Sequence, residues 1–470
     1  MIPIKLCLPG PSESSVHPLV LSEEQVGLYQ GETVGNKKRV WVEAYGCSAS
    51  MADSEMIKGI LMRGGYDLSS EPGMSDLNLI VTCGVKESTE HRMLSRITAL
   101  TKLKKPLVVA GCLPKSDRAL LERYCPEACL LGPHSLDKTL DVVNNSIQNK
   151  RVVALNDSVT DKVNLPRLRF NHAVSIIQIS SGCMSDCSFC QTKLAKGHLR
   201  SYRLGDILRQ MEYDVADGCK EIWLTSTDNG CYGLDINTNL ADLLDAGCKI
   251  PGEFKVRVGM MNPMYLPRFM DKLLVILSKS DKLFKFLHIP VQSGSERILR
   301  KMKRGHSSDV FRQIVDVFRT AIPEITIATD LIAGFPSETD EDFQKTVDLI
   351  EATKPDVINS SKFSPRPGTL ASKFTRVDTS VVKTRTQKLH EVIRQVTYSR
   401  NVQWNGWEGE ILVDEVNDKF IQGRNYAYKP VVLDDVLPEI KIERNQLLGK
   451  KLTVKIKEVS NFCLKGSIMT

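Results

Sequence analysis

From Arg39 onward, hydrophobic and polar positions follow two alternating rhythms. "RVWVEAY", "LNLIVTC" and "PLVVAGC" are short apolar runs of buried-strand length. Between them, "MADSEMIKGILMRGG" and "ESTEHRMLSRITALTKL" repeat apolar residues at helical spacing, and the first stops at two glycines. The alternation predicts a small α/β unit with a parallel sheet, closing near Asn149. A polar connector spans 151–169. A longer βα series follows, with strands expected at "VSIIQIS", "EIWLTS", "FKVRVGM", "FKFLHIPV", "EITIATDLI" and "DVINSSKF". Amphipathic stretches such as "RLGDILRQMEYDVADG" and "SSDVFRQIVDVFRTA" separate them. Six such units predict a partial (β/α)6 barrel, since a complete eight-unit barrel typically takes ~250 residues. After the helix "VVKTRTQKLHEVIRQVTYSRNVQ", the runs "GEILVDEV", "FIQGRNYAYKPVVL" and "KKLTVKIKEVS" read as short strands of a small β-barrel.

The expected fold class is therefore α/β, in three parts: an N-terminal parallel-sheet domain at 37–149, a partial barrel at 169–398 and a C-terminal β-barrel at 399–470. Residues 1–36, rich in Pro, Ser, Gly and Glu and without a clean period, read as a poorly ordered extension.

Composition narrows the class. The chain has 470 residues, 42% hydrophobic and 25% charged, as in ordinary soluble proteins. Its net charge of +7 points mildly to an anionic partner. No basic stretch followed by an apolar one opens the sequence, and no run approaches the ~18 apolar residues of a membrane span. Neither a signal peptide nor a membrane anchor is expected, and the expected location is the cytoplasm. There, the 13 cysteines are candidates for metal binding or catalysis rather than for disulfides.

Three of them, in "SGCMSDCSFCQ", place Cys183, Cys187 and Cys190 in the spacing C-x3-C-x2-C, just past the first barrel strand. Active-site loops of such barrels gather at that end. Three thiolates on one loop can hold three corners of a [4Fe–4S] cube and leave one iron open. The alternatives are a zinc knuckle with a distant histidine, or buried free thiols. A second group, Cys47 in "YGC", Cys83 in "VTC" and Cys112 in "AGC", lies at the ends of three predicted strands, which a parallel sheet brings to one edge. It reads as a second three-ligand site, or else as three unrelated core cysteines. Cys125 and Cys129 read as structural, and Cys7, Cys219, Cys231, Cys248 and Cys463 follow no such logic.

The first of these motifs resembles the hallmark of the radical S-adenosylmethionine (SAM) superfamily. Together with "VRVGMMNP", "HIPVQSGSERILRKMKRGH", "TDLIAGFPSETDEDF" and a tail similar to a TRAM domain, the two triads resemble the methylthiotransferases over about residues 38–470. "TDNGCYGLD" and "VTCGVKESTE" look most like the archaeal–eukaryotic branch, which modifies threonylcarbamoyladenosine beside the anticodon. Lys196 stands where that family usually has Arg. The resemblance implies two [4Fe–4S] clusters, SAM bound at the open iron of the Cys183/Cys187/Cys190 site, and cleavage of SAM to a 5′-deoxyadenosyl radical. The adenine C2–H would become C2–S–CH3, with sulfur held at the Cys47/Cys83/Cys112 site.

Further site residues are expected from position. Thr227 and Asp228 after the second barrel strand, Arg257 and Asn262 near the third, and Gln292 and Ser293 after the fourth are candidate SAM contacts. Basic residues crowd 297–304 and 362–400, and Arg385, Lys388, Arg424 and Tyr426 are candidate tRNA contacts. Electron and sulfur donors are implied as further partners, and a monomer is expected. The rival readings are the same chemistry on another modified adenine or on a ribosomal protein, and a non-catalytic, metal-braced RNA-binding protein.

Overall fold

The computed structural model describes residues 37–84, 87–156, 161–417, 420–433 and 444–469, so the extension expected at 1–36 lies outside the described residues. The first unit is a parallel sheet of β1 (Arg39–Ala44), β2 (Asp67–Leu68), β3 (Leu77–Thr82), β4 (Leu107–Gly111), β5 (Cys129–Leu131) and β6 (Val153–Ala154). Their order is β2-β1-β3-β4-β5-β6. Every residue of β3 is buried, which explains the run "LNLIV", apolar except for Asn78: a parallel strand is covered on both faces. β6 falls within the stretch read as a connector and adds an edge strand beside β5.

The second unit holds β7 (Val174–Gln178), the short ribbon β8 (Ser180–Ser181) and β9 (Arg200–Ser201), then β10 (Glu221–Thr225), β11 (Lys255–Val258), β12 (Phe286–His288), β13 (Thr326–Ala333) and β14 (Val357–Lys362). The six barrel strands occur where the pattern puts them, as two parallel three-stranded sheets, β11-β10-β7 and β12-β13-β14. Only the bridge between Val256 and Leu283 continues the pairing past β11 among the described residues. Ile177, Ile222, Leu224, Val256, Leu287 and Ile327 face outward into one core with the surrounding helices. The alternate residues of the same strands, Val174, Ile176 and Trp223, face inward and join the core of the first unit.

That joint core accounts for the helix Ser48–Arg63. Nearly all of it is buried, charged residues included, because it lies between its own sheet and the inner face of β7 and β10. A helix covered all round shows no clean apolar stripe. Its buried charges find partners instead. Asp53 Oδ1 lies 2.5 Å from Lys162 Nζ and 2.6 Å from Gln178 Nε2. Glu55 accepts from the Phe170 amide at 3.1 Å, and the Lys58 ammonium sits 3.5 Å from the centre of the Phe170 ring.

The third unit is a closed barrel of β15 (Glu408–Val416), β16 (Ile421–Arg424), β17 (Pro430–Leu433), β18 (Lys451–Val459) and β19 (Leu464–Ile468), in the order β15-β16-β17-β19-β18. It sits against the starts of the central strands. Asn171 Nδ2 donates to the Asp414 carbonyl at 2.8 Å, the Lys285 amide donates to the Tyr426 carbonyl at 2.8 Å, and Lys429 pairs with Asp356 at 3.1 Å. Residues 285 and 356 immediately precede β12 and β14, and residue 171 lies three positions before β7. A cavity of about 430 Å³, lined by Arg257, Phe286, His288 and Tyr428 among others, separates the small barrel from the interior of the partial barrel.

Candidate functional site

The opposite ends of the central strands carry the cysteines. After β7 the chain turns at Gly182, whose φ of +74° and close approach to the His198 carbonyl exclude a side chain: a Cβ would lie 1.9 Å from that oxygen. Cys183, Cys187 and Cys190 then converge, each thiol lying in the field of the others. The loop is held from below by Ser188, whose amide donates to the Met302 carbonyl at 2.9 Å and whose hydroxyl donates to the Lys301 carbonyl at 2.8 Å. The Ser185 amide donates to Cys183 Sγ at 3.3 Å, and Arg304 Nη1 approaches Cys187 Sγ at 3.4 Å. Burial pushes the Cys190 thiol up to about 11 and the Cys187 thiol upward as well, with Arg304 opposing the latter. Thiols this buried release their protons to a metal more readily than to water.

The second barrel strand contributes more than expected. Cys231, which the sequence pattern left unassigned, lies with Asp228 beside Cys183; the two sulfurs and a carboxylate oxygen fall within 4.8 Å of one another. The Cys231 thiol donates to the Asp228 carbonyl at 3.2 Å, and its closeness to Cys183 draws the Cys183 thiol down. The signal for this was available: β10 pairs directly with β7, so their following loops are neighbours.

The other triad forms at the ends of β1, β3 and β4. Cys47 precedes the helix Ser48–Arg63, Cys83 follows β3, and Cys112 follows β4. Gly46, at φ +112°, makes room for the group: a Cβ there would lie 2.7 Å from Cys83 Sγ. A hydrogen bond from Cys83 draws the Cys47 thiol down, whereas burial pushes Cys112 up to about 11. Lys196, from the short helix after the Cys190 loop, is buried against them. Burial works against its charge, but Asp53 and the thiols of Cys112, Cys47 and Cys83 prevail and hold the ammonium protonated. Gln191, next to Cys190, is buried with neither side-chain polar atom partnered among the described residues, and Gly84, next to Cys83, faces its Oε1. The two triads are therefore adjoining sites on the same side of the molecule. His134 Nε2 to Ser181 Oγ at 3.0 Å, and Arg366 to Glu90 and to the Gly84 carbonyl at 3.1 and 3.2 Å, fasten the units together.

Each triad offers the three thiols that an iron–sulfur cluster with one open iron would need, and the loop after β10 would suit a small polar ligand beside one of them. Ser226 Oγ, Thr227 Oγ1 and Asn229 Oδ1 are buried there without partners among the described residues. Asp228 Oδ1 accepts from the amides of Gly230 and Asn262 at 3.0 Å each, and Asn262 Nδ2 reaches Ser185 Oγ at 3.4 Å. Thr227, Asp228 and Asn262 are thus gathered around Cys183. Gln292 is half-buried, its backbone at φ +75° and its amide donating to the Asp330 carbonyl at 2.8 Å.

Two expected SAM contacts lie elsewhere. Arg257 points toward the small barrel, its guanidinium 5.6 to 5.9 Å from the rings of Trp223, Phe286 and Tyr428. Ser293 is buried against the surrounding helices, 3.3 Å from Thr346 Oγ1. The RNA candidates also divide. Arg385 is buried and paired with Glu338 and Asp340 at 2.9 and 2.7 Å, and Arg424 with Asp414 at 2.7 Å. Both cations are consumed inside the fold and are not available to phosphate. Tyr426 packs its ring on Trp404 and Trp407 and bonds Glu324 through its hydroxyl. Lys388 is exposed, as are Lys383 and Arg394 on the same helix.

Comparison with known proteins agrees with this geometry. Residues 177–350 match the Radical SAM superfamily, and residues 39–132 match uncharacterized protein family UPF0004. A Pyrococcus horikoshii protein named "Probable threonylcarbamoyladenosine tRNA methylthiotransferase" is 36% identical over 92% of this chain and 100% of its own length. The threonylcarbamoyladenosine tRNA methylthiotransferase of Homo sapiens is 34% identical over 95% of this chain and 76% of its own. Among solved structures, a radical S-adenosylmethionine methyltransferase, TsrM, from Kitasatospora setae superposes with a TM-score of 0.54 over 72% of this chain and 77% of that one, at 14% identity, a likeness of fold alone. With two thiol triads on these two units and full-length relatives above 30% identity, the chain belongs to the threonylcarbamoyladenosine tRNA methylthiotransferase family.

Proposed function

We infer that this protein converts threonylcarbamoyladenosine next to the anticodon of tRNA to its 2-methylthio derivative by radical SAM chemistry. The observation that carries the reading is the pair of adjoining triads, each offering three thiols, with Cys83, Cys112 and Cys183 buried and Cys47, Cys187 and Cys190 half-buried. Cys183, Cys187 and Cys190 would hold the cluster that binds SAM, and Cys47, Cys83 and Cys112 a second [4Fe–4S] cluster. When bound, these groups supply the one-electron and sulfur chemistry that an unactivated adenine C2–H requires and that no side-chain base provides.

The chain's own residues bind and orient. The unpartnered oxygens of Ser226, Thr227 and Asn229 offer acceptors to the amino group of SAM, and the Asp228 carboxylate anchors the loop that carries them. Lys196 keeps a positive charge beside the second triad, where it offsets the charge of thiolates and of an anionic sulfur species. The fold's further share would be to keep water from the space between the triads. Lys383, Lys388 and Arg394 offer exposed positive charge to the RNA backbone. A cytoplasmic monomer served by separate electron and sulfur donors completes the reading, and no helix among the described residues is long and apolar enough to cross a membrane.

Anaerobic reconstitution with iron and sulfide, then SAM, reductant and threonylcarbamoyl-modified tRNA, tests it. About eight iron atoms per chain and a methylthio nucleoside in the digest are expected. Colourless protein containing zinc, or iron-loaded protein that leaves the nucleoside unchanged, would contradict it.

A further inference from the structure

Within the basic run "RILRKMKRGH", Arg300, Lys301 and Lys303 are exposed. Arg304 is not. Past the helix Glu296–Lys301, Lys303 takes φ +55° and the Arg304 amide returns to the Leu299 carbonyl at 3.0 Å, a turn that sends the next side chain inward. Arg304 is 5% exposed. Its Nη2 donates to the Pro290 carbonyl at 2.7 Å and its Nη1 to Cys187 Sγ at 3.4 Å. The same turn receives both hydrogen bonds of Ser188, so the separation of guanidinium and sulfur is set by two further links between the two loops. No carboxylate is paired with Arg304 among the described residues; the one in its field, Asp228, lies on the Cys183 side, with Oδ2 3.8 Å from that sulfur.

A guanidinium cannot lose its proton in a protein, so this charge is permanent. Burial leaves it little screened by salt. A hydrogen bond and a positive charge on a ligating sulfur favour the reduced, more negative state of an iron–sulfur cluster. Resting on the cluster reading above, we propose that Arg304 is the positioning residue that sets the reduction potential of the cluster held by Cys183, Cys187 and Cys190, by donating to the Cys187 sulfur. It touches neither SAM nor RNA in this role and acts through the ligand alone.

The test is a redox titration by electron paramagnetic resonance. It uses the full chain with Cys47, Cys83 and Cys112 all replaced by alanine, so that one cluster contributes. Arg304→Leu is expected to lower the equilibrium constant for reduction about tenfold, a shift of about 59 mV to more negative potential. Arg304→Lys keeps the charge without the fork that reaches both partners, and its midpoint should fall between the two. An unchanged midpoint in iron-loaded Arg304→Leu protein overturns the proposal. Should that variant fail to hold iron, Arg304→Lys decides, because a midpoint equal to the parent's overturns it as well. A parent that takes up no iron overturns the cluster reading itself, and this inference with it.

Discussion

Ser48 and Thr225, 177 positions apart, share a hydroxyl–hydroxyl hydrogen bond of 2.7 Å. One follows Cys47 at the start of a helix; the other ends β10, just before the loop of unpartnered oxygens. The bond therefore registers one triad against the other. Thr225→Val keeps the shape and removes the hydroxyl. We expect about 1 kcal/mol of lost stability and a larger fall in methylthio product than in SAM cleavage, read as the ratio of the two in one reaction. An unchanged ratio would show that the bond only holds the fold together.

Separate replacements divide the two sites. Cys187→Ala should stop SAM cleavage. Cys83→Ala should retain some cleavage and abolish sulfur insertion, with iron content falling by about half. Liquid chromatography of the nucleosides beside an assay for 5′-deoxyadenosine reads both outcomes, and equal activity of the two variants would contradict the assignment.

Gly182 and Gly65 both have positive φ, +74° and +87°, but only Gly182 is crowded, and nothing lies within 4 Å of a Cβ at Gly65. Gly65→Ala should cost about 1–2 kcal/mol of backbone strain and leave the iron content unchanged. Gly182→Ala must also displace the His198 carbonyl and with it the cysteine loop. Its expected signature is lost iron at the Cys183 site, seen in the visible absorbance of reconstituted protein.

Asp356 joins the small barrel to the central unit, with Lys429, Arg400 and Arg319 at 3.1, 3.1 and 3.0 Å. Burial alone would push its carboxyl up, but those three cations outweigh burial and hold it below the usual carboxylate range. A depressed acid stabilises the fold fully above its unfolded-chain value of about 3.9, and that contribution disappears as pH falls through the lower folded value. Asp356→Asn leaves the buried cations short of their counter-charge and should cost about 3–5 kcal/mol at neutral pH. Part of the acid-side pH dependence should vanish with it, followed by the fluorescence of Trp404 and Trp407 during denaturation.

The strand positions and the convergence of each triad were legible in the sequence because parallel strands bring their ends to one edge, and Cys47, Cys83 and Cys112 stood at three such ends. The direction of individual cations was not. Arg385 looks like any member of a basic helix until Glu338 and Asp340 come back to it from 47 and 45 positions away. Arg304 turns inward on the conformation of one preceding residue. Arg257 stands near a strand end, as expected, but its long side chain runs back along the barrel to the aromatic rings beneath. Charge runs report composition, whereas pairing is decided by tertiary neighbours.

The small barrel rests on the starts of the central strands, and the thiols lie past their ends. An RNA touching both must run along the outside of the wall between them. Strands of five or six residues make that wall about 17–20 Å high. Should the small barrel also take hold of RNA, the fold would work as a caliper: a nucleotide carrying the right base, with no stem long enough to reach the far jaw, would meet only half of the grip.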